Sequence, residues 1–264
     1  MSAATAPGGA VRLRSGRWGT WFRSWERQQE SYNRARERRF TAMLDIVAAS
    51  VPPRFVALDL GCGPGSLSYR LLRRFPQARC VAVDFDPVVL RIGQGALGTA
   101  GGRLTWTPAD LRDPGWSRAL PVRRFDVALS TTALHWLEER TLARLYRDLS
   151  RYLRPGGIFL DGDRFPWGSK EPVLARLAER VRSLGSGAEG RKHGWDRWRA
   201  WWAAAERDPE LRPLFAERER SGRQHPKNGD ASLAFHRRAL LRAGFSPVEV
   251  VWRSHENGIL YARR

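Results

Sequence analysis

Between Phe55 and Leu160 the chain alternates short apolar runs with segments of helical period. The runs are Phe55–Leu60, Arg79–Asp84, Arg103–Thr107, Phe125–Ser130 and Gly157–Leu160. They are mostly continuous and lack the in–out alternation of a strand with one wet face. That is the pattern of parallel strands covered on both sides. The intervening segments Leu67–Phe75, Pro87–Leu97 and Thr141–Leu153 carry helical spacing. A repeated β-α-β-α order predicts an α/β fold with a doubly wound, mostly parallel sheet.

The flanks differ from this middle. Thr20 to Ala49 reads as helical, with Trp18, Trp21 and Trp25 on one face and Phe40, Met43, Leu44 and Val47 continuing an apolar stripe. Pro52 and Pro53 stop it. After Asp163 the alternation ends, and residues 166–230 show no strand pattern. Helices are predicted over Glu171–Leu184, around Trp195–Trp202 and over Asp208–Arg220. The α/β pattern resumes with a helix at Ser232–Ala243, closed by Gly244, and strands at Val248–Trp252 and Ile259–Ala262. The expected organisation is a disordered basic arm (1–17), a helical lid (18–50), a sheet domain (51–163 and 232–264) and an inserted helical cap (164–231). The stripe of Trp195, Trp198, Trp201 and Trp202 is either a buried helix face or a wall over a flat, lipophilic ligand.

Composition narrows the class. The 264 residues are 42% hydrophobic, enough for a sizeable core. No apolar run approaches the roughly 18 residues of a membrane span. The basic N-terminal stretch lacks the apolar segment of a secretory leader, so the cytoplasm is the expected compartment. Cys62 and Cys80 sit in unrelated contexts and make neither a disulfide framework nor a zinc site. The net charge of +19 points first to nucleic acid. However, only Lys170, Lys192 and Lys227 are lysine, and the arginines are spread along the whole chain, as compositional bias would leave them.

The strongest local signal is Val56-Ala57-Leu58-Asp59-Leu60-Gly61-Cys62-Gly63-Pro64-Gly65-Ser66-Leu67. A strand ends near an acid, and a glycine-rich turn opens a helix, letting backbone approach a ligand without a Cβ between them. Dinucleotide enzymes use G-x-G-x-x-G for a pyrophosphate. Here the spacing is G-x-G-x-G, and Asp59 sets a negative charge beside the loop. That suits a cationic ligand such as S-adenosylmethionine, which carries an ammonium and a sulfonium.

With four further segments the chain resembles the class I S-adenosylmethionine-dependent methyltransferase family. Val81-Ala82-Val83-Asp84-Phe85-Asp86 resembles its second strand, and Ala109-Asp110-Leu111 the loop after its third. Phe125–Ser130 and then Ala133-Leu134-His135-Trp136-Leu137 resemble strand four and its succeeding helix. Leu153-Arg154-Pro155-Gly156-Gly157 resembles the turn into strand five. The resemblance implies a Rossmann-like sheet of seven strands in the order 3-2-1-4-5-7-6, with an antiparallel last strand. It also implies S-adenosyl-L-methionine as cofactor. Asp84 would then grip the ribose hydroxyls, Phe85 lie against the adenine and Asp110 meet the adenine amino group. Gly61, Gly63, Gly65, Asp59, Leu111 and Ser130 join the cofactor set. Tyr32, in Glu30-Ser31-Tyr32-Asn33-Arg34, resembles a lid-helix tyrosine that faces the cofactor.

On the acceptor side His135 is the candidate base, because it lies just past strand four at the carboxyl edge, where doubly wound folds bind ligands. Its structural alternative is packing beside Trp136. Trp136, Arg36 and Trp167 are candidate substrate contacts. His193, His225 and His236 are too scattered for a metal site. The reading is methyl transfer by in-line displacement to a small-molecule acceptor, a metabolite acid, phenol or similar. An RNA methyltransferase is the alternative, although Ser130-Thr131-Thr132 is not the Asn/Asp-Pro-Pro-Tyr of base amino methylation. A non-catalytic S-adenosylmethionine-binding protein is the other, against which stand the acids Asp59, Asp84 and Asp110.

Overall fold

The computed structural model describes residues 11–32, 35–167, 171–220 and 231–264. Two lid helices, α1 (Arg17–Tyr32) and α2 (Arg36–Ser50), precede the sheet. The first half then runs β1 (Val56–Leu60), α3 (Ser66–Arg74), β2 (Arg79–Asp84), α4 (Pro87–Leu97) and β3 (Leu104–Pro108). It continues with β4 (Phe125–Thr131), α5 (Glu139–Tyr152) and β5 (Leu153–Arg164). The cap is α6 (Pro172–Arg207) and α7 (Arg212–Arg220), and the chain closes with α8 (Leu233–Arg242), β6 (Val248–Ser254) and β7 (Asn257–Arg263).

The seven strands are ordered β3-β2-β1-β4-β5-β7-β6, as the resemblance implied. The pairs from β3 to β5 are parallel, and β7 runs antiparallel to both β5 and β6. Side chains of alternating parity explain the continuous apolar runs. Ala57, Ala82, Leu129 and Leu160 face a core shared with α2, α3 and α4, whereas Leu58, Val83, Ala128 and Phe159 face α5 and α8. Both faces are covered, so neither parity is polar except at the strand ends.

Four expectations change. The single N-terminal helix is two helices. The arm expected to be disordered over 1–17 is packed from Val11 onward: Val11 is buried, and the Arg14 N–H donates to Ala96 O at 2.9 Å. Residues 1–10 lie outside the described residues. The two helices expected within 171–202 form one continuous α6. Finally, β5 runs on to Arg164, four residues past its apolar run, because β4 and β7 pair with Asp161 and Gly162 from opposite sides.

The lid and cap hold each other. Trp201 on α6 donates its indole N–H to Ser24 Oγ at 2.9 Å and meets Trp25 edge to face at 5.0 Å. Trp21 donates to Asp208 Oδ2 at 2.9 Å, and Arg17 pairs with the same carboxylate. Among the described residues no helix is long and apolar enough to cross a membrane.

Candidate active site

The turn from β1 into α3 takes its shape from glycine. Gly61, Gly63 and Gly65 have φ of +66°, +55° and +84°, which only glycine adopts readily. At Gly61 a Cβ would also sit 2.4 Å from the Ala133 Cβ. The loop closes against β2 through the Cys62 N–H to Val83 O, at 3.0 Å. Asp84, last residue of β2, completes it. Its Oδ2 accepts the Gly63 N–H at 2.7 Å, and its Oδ1 accepts the Asp86 N–H at 3.0 Å. Burial raises the Asp84 carboxyl to about 6, against the opposing pull of the backbone N–H of Asp86 and Gly63.

Gly61, Cys62, Gly63 and Asp84 line one cavity together with Phe85, Asp110 and Leu111. Asp110 is not an isolated acceptor. Arg112 grips its carboxylate through Nε and Nη2, at 3.0 and 2.9 Å. The same guanidinium lies 5.0 Å from the centre of the Phe85 ring. Sequence reading missed Arg112, which stands two residues beyond Asp110 in the loop already identified.

Asp59, Gly65 and Ser130 do not line this cavity, contrary to the expectation that they contact the cofactor. Asp59 shares the parity of Ala57 and so points under α3. There it accepts the Ser68 N–H and Oγ–H at 3.2 and 2.6 Å. Burial raises it to about 6, Ser68 notwithstanding. Gly65 is the N-cap of α3, and a Cβ there would meet the Trp106 ring at 2.7 Å. Ser130 is buried and donates to Leu60 O at 2.9 Å, tying β4 to β1.

The end of β4 and the segment after it form another wall. Thr131, Thr132, Ala133, His135, Trp136 and Leu137 all line the cavity. Leu134–Trp136 is a short 3-10 turn, and Thr132 carries a φ of +50° before it. His135 Nδ1 lies 2.9 and 3.0 Å from the two carboxylate oxygens of Asp163, and its ring is 4.8 Å from that of Trp136. Burial alone would push Asp163 up. The charge and hydrogen bond of His135, then Arg39, reverse this and hold it below the usual carboxylate range. Its neighbour Asp161 goes the other way, raised by burial and by Asp163.

Lid and cap close the cavity. Trp25 and Gln29 of α1, Arg36 and Phe40 of α2, and Trp195, Trp198 and Trp202 of α6 line it. The tryptophan stripe thus divides: Trp201 is buried against α1, while the other three reach the cavity. Arg36, a candidate substrate contact, lines the cavity, but its charge is already answered. It makes a two-pronged pair with Glu26 at 2.9 and 3.0 Å. Glu26 also accepts the Ser66 Oγ–H at 2.6 Å and pairs with Arg70 at 2.6 Å. Burial opposes ionisation of Glu26, yet Arg36 and Arg70 bring it down to about 2.

Trp167 does not line the cavity. Its ring is covered by Arg253, whose guanidinium lies 3.6 Å from the ring centre. Tyr32 ends α1, and its side chain lies outside the described residues, as do His193 and His225. His236 is buried in the core, 2.5 Å from Tyr146 Oη, and burial lowers it to about 4. Among the described residues no three His, Cys, Asp or Glu side chains are grouped to hold a metal.

Comparison with known proteins agrees with this geometry. A family model described as a methyltransferase domain matches residues 57–157, from β1 into β5. A trans-aconitate 2-methyltransferase of Azoarcus sp. is 36% identical over 136 residues, 51% of this chain and 49% of that protein. One from Methylobacterium radiotolerans is 30% identical over 181 residues, 67% of this chain and 58% of that protein. The chain spans about half the length of the curated relatives it matches. Among solved structures, an O-methyltransferase family protein from Burkholderia thailandensis superposes with a TM-score of 0.54 at 17% identity, over 85% of this chain and 55% of that one. Human N-acetylserotonin methyltransferase, solved with its S-adenosylmethionine, gives 0.51 at 15% identity, over 93% and 58%. At such identities these two speak for the fold alone. The strand order, the glycine-loop geometry and the matched domain agree in supporting a methyltransferase domain of the class I S-adenosylmethionine-dependent type over residues 57–157.

Proposed function

We propose that this protein transfers a methyl group from S-adenosylmethionine to a small-molecule acceptor that loses a proton in the reaction. One observation carries the reading. The glycine loop and Asp84 share a single cavity with His135, whose ring is paired with Asp163. A donor site and a proton acceptor therefore open on the same space.

The residues fit the donor. A carboxylate has about four acceptor positions, and Asp84 turns some of them to the backbone N–H groups of Gly63, Asp86 and Phe85. The remainder suit a diol such as the ribose hydroxyls. Gly61 and Gly63 present backbone to the cavity, and Phe85 and Leu111 provide apolar contact for a base. When bound, the donor supplies an electrophilic methyl on a sulfonium. The chain's part is alignment, water exclusion and proton removal. His135 takes the acceptor's proton, and Trp25, Trp136, Trp195, Trp198 and Trp202 hold the acceptor's flat or apolar body while excluding water. The cap helix α6, with α7 beside it, is thus the specificity element. Two free, buried thiols, Cys62 and Cys80, suit a reducing cytoplasm.

A second reading is supported by the relatives named trans-aconitate 2-methyltransferase. A carboxylate acceptor needs no base, and His135 would then only orient it. The test is incubation with methyl-labelled donor and a cell extract separated into metabolite, protein and nucleic-acid fractions. Label in a metabolite supports the proposal, and the product's mass spectrum tells ether from ester. Label confined to RNA overturns it.

A further inference from the structure

Asp161, Gly162 and Asp163 lie near the end of β5, the first two between β4 and β7 and the third paired with β7. Asp161 and Asp163 are buried, as is Arg39 of α2, so their charges must balance largely within the protein. Both carboxylate oxygens of Asp163 face His135 Nδ1. The third partner comes from the lid. Arg39 of α2 has 0% of its surface exposed. Its stem lies on Gly162, where a Cβ would come within 3.1 Å of Arg39 Cδ and 2.7 Å of Met43 Sδ. Its Nη1 donates to Asn257 Oδ1 at 3.2 Å. Its charge acts on both Asp163 and Asp161.

We propose that Arg39 and Asp163 are positioning residues for the proton acceptor. Arg39, delivered when α2 docks on β5, keeps Asp163 an anion, and Asp163 holds the Nδ1–H of His135 so that Nε2 is the accepting atom. This rests on the reading of His135 as proton acceptor in methyl transfer. Burial and Asp163 raise Asp161, whereas His135 and Arg39 lower Asp163, so the two acids favour one anion near the one guanidinium. Both Asp161 oxygens are buried without a hydrogen-bond partner among the described residues, which a charged carboxylate would tolerate poorly. In the reaction the acceptor's proton goes to Nε2, and the imidazolium formed stays paired with Asp163. The lid that closes the cavity thereby also completes the base. A lid left undocked takes the cation away from Asp163.

The groups facing this pair are few. Asp163 feels His135, Arg39, Asp161 and, more distantly, Tyr146 and His236. Arg39 further feels Arg36 of its own helix. Removing the anion or the cation should therefore move His135 in opposite directions, which loss of packing alone does not do.

The experiment is nitrogen-15 NMR of the five histidines in the full chain, with His135 identified by its loss in His135→Gln. The wild type should show His135 as the Nδ1-protonated tautomer. Asp163→Asn should lower its titration midpoint by roughly one unit or more. Arg39→Met, which keeps the stem on Gly162, should raise the midpoint, because the imidazolium then becomes the cation of Asp163. Arg39→Lys should leave it near the wild-type value, and Arg39→Gln replaces Arg39→Met should the latter not fold. An Nε2-protonated wild type, an unmoved midpoint in Asp163→Asn, or shifts of the same sign in both variants would overturn the proposal. Calorimetry with S-adenosylhomocysteine on the same samples keeps the two readings apart. A wild type that shows the tautomer but binds no S-adenosylhomocysteine refutes methyl transfer and leaves the Arg39–Asp163–His135 relay standing.

Discussion

Glu26 Oε1 accepts the Ser66 Oγ–H at 2.6 Å, joining the first lid helix to the first turn of the helix that the glycine loop opens. The same carboxylate takes Arg36 from the second lid helix and Arg70 from α3. One side chain thus pins two lid helices to the donor end of the cavity.

Glu26→Ala should loosen the lid more than it unfolds the protein. It strips the partner from Arg36, which is almost wholly buried, and removes charge-assisted bonds worth roughly 1.5–3 kcal/mol together. The expected result is faster hydrogen exchange in α1 and a lower unfolding temperature. The pH sign comes from the lowered Glu26 carboxyl. Its contribution is fully present above the ordinary value of 4.5 and is lost as pH falls toward about 2. Acid unfolding of the wild type should therefore show an inflection in that window that Glu26→Gln lacks.

Asp84 carries the opposite sign. Its native value of about 6 lies above the ordinary 3.8, so the folded chain holds this proton more tightly than the unfolded one. Its contribution to stability is present below 3.8 and lost as pH rises through about 6. Donor binding runs the other way, because a diol donates best to the ionised carboxylate. Affinity for S-adenosylhomocysteine should fall roughly tenfold between pH 7 and pH 5, following the ionised fraction. Asp84→Asn should bind weakly at both pH values and lose the dependence. Calorimetry at the two pH values checks this, and a flat wild-type profile counts against the ribose role.

His135→Gln separates chemistry from binding. For a hydroxyl acceptor the turnover rate should fall about 10²–10⁴-fold, while S-adenosylhomocysteine affinity stays within a factor of two to three. Stopped-flow turnover on the labelled acceptor is the measurement. An unchanged rate assigns His135 to packing against Trp136 and favours the carboxylate reading.

Gly162→Ala should be costly for a residue with ordinary backbone angles, because its methyl would meet Met43 Sδ at 2.7 Å and the Arg39 stem at 3.1 Å. Overpacking of this kind costs about 1–3 kcal/mol. A chain of this size should lose roughly 2–4 °C of unfolding temperature per kcal/mol. An unshifted transition would mean that α2 does not pack tightly on β5.

The sheet was legible because continuous apolar runs separated by amphipathic segments admit few other arrangements. The donor loop was legible because its glycines are required by backbone conformation. What stayed hidden depended on parity and on distant pairing. Asp59 stands beside the glycine loop in sequence, yet its parity with Ala57 turns it under α3 toward Ser68. Asp161 and Asp163 made β5 look finished at Leu160, since two acids rarely continue a buried strand. His135, and Arg39 more than a hundred residues earlier, make that tolerable. The tryptophan stripe was equally ambiguous: neighbours on one helix, Trp201 and Trp202, divide between core and cavity. Arg36 read as an available cation because Glu26, ten residues away, gave no sign of being its partner.

The central claim is that one cavity holds the methyl donor against Asp84 and presents it to His135. A crystal structure of the protein soaked with S-adenosylhomocysteine tests it most directly. The account predicts the ribose diol on the Asp84 carboxylate, the adenine beside Phe85 and Leu111, and the sulfur turned toward the space bounded by His135, Trp136 and the cap tryptophans. Density for the ligand elsewhere, or a sulfur walled off from His135, would contradict it.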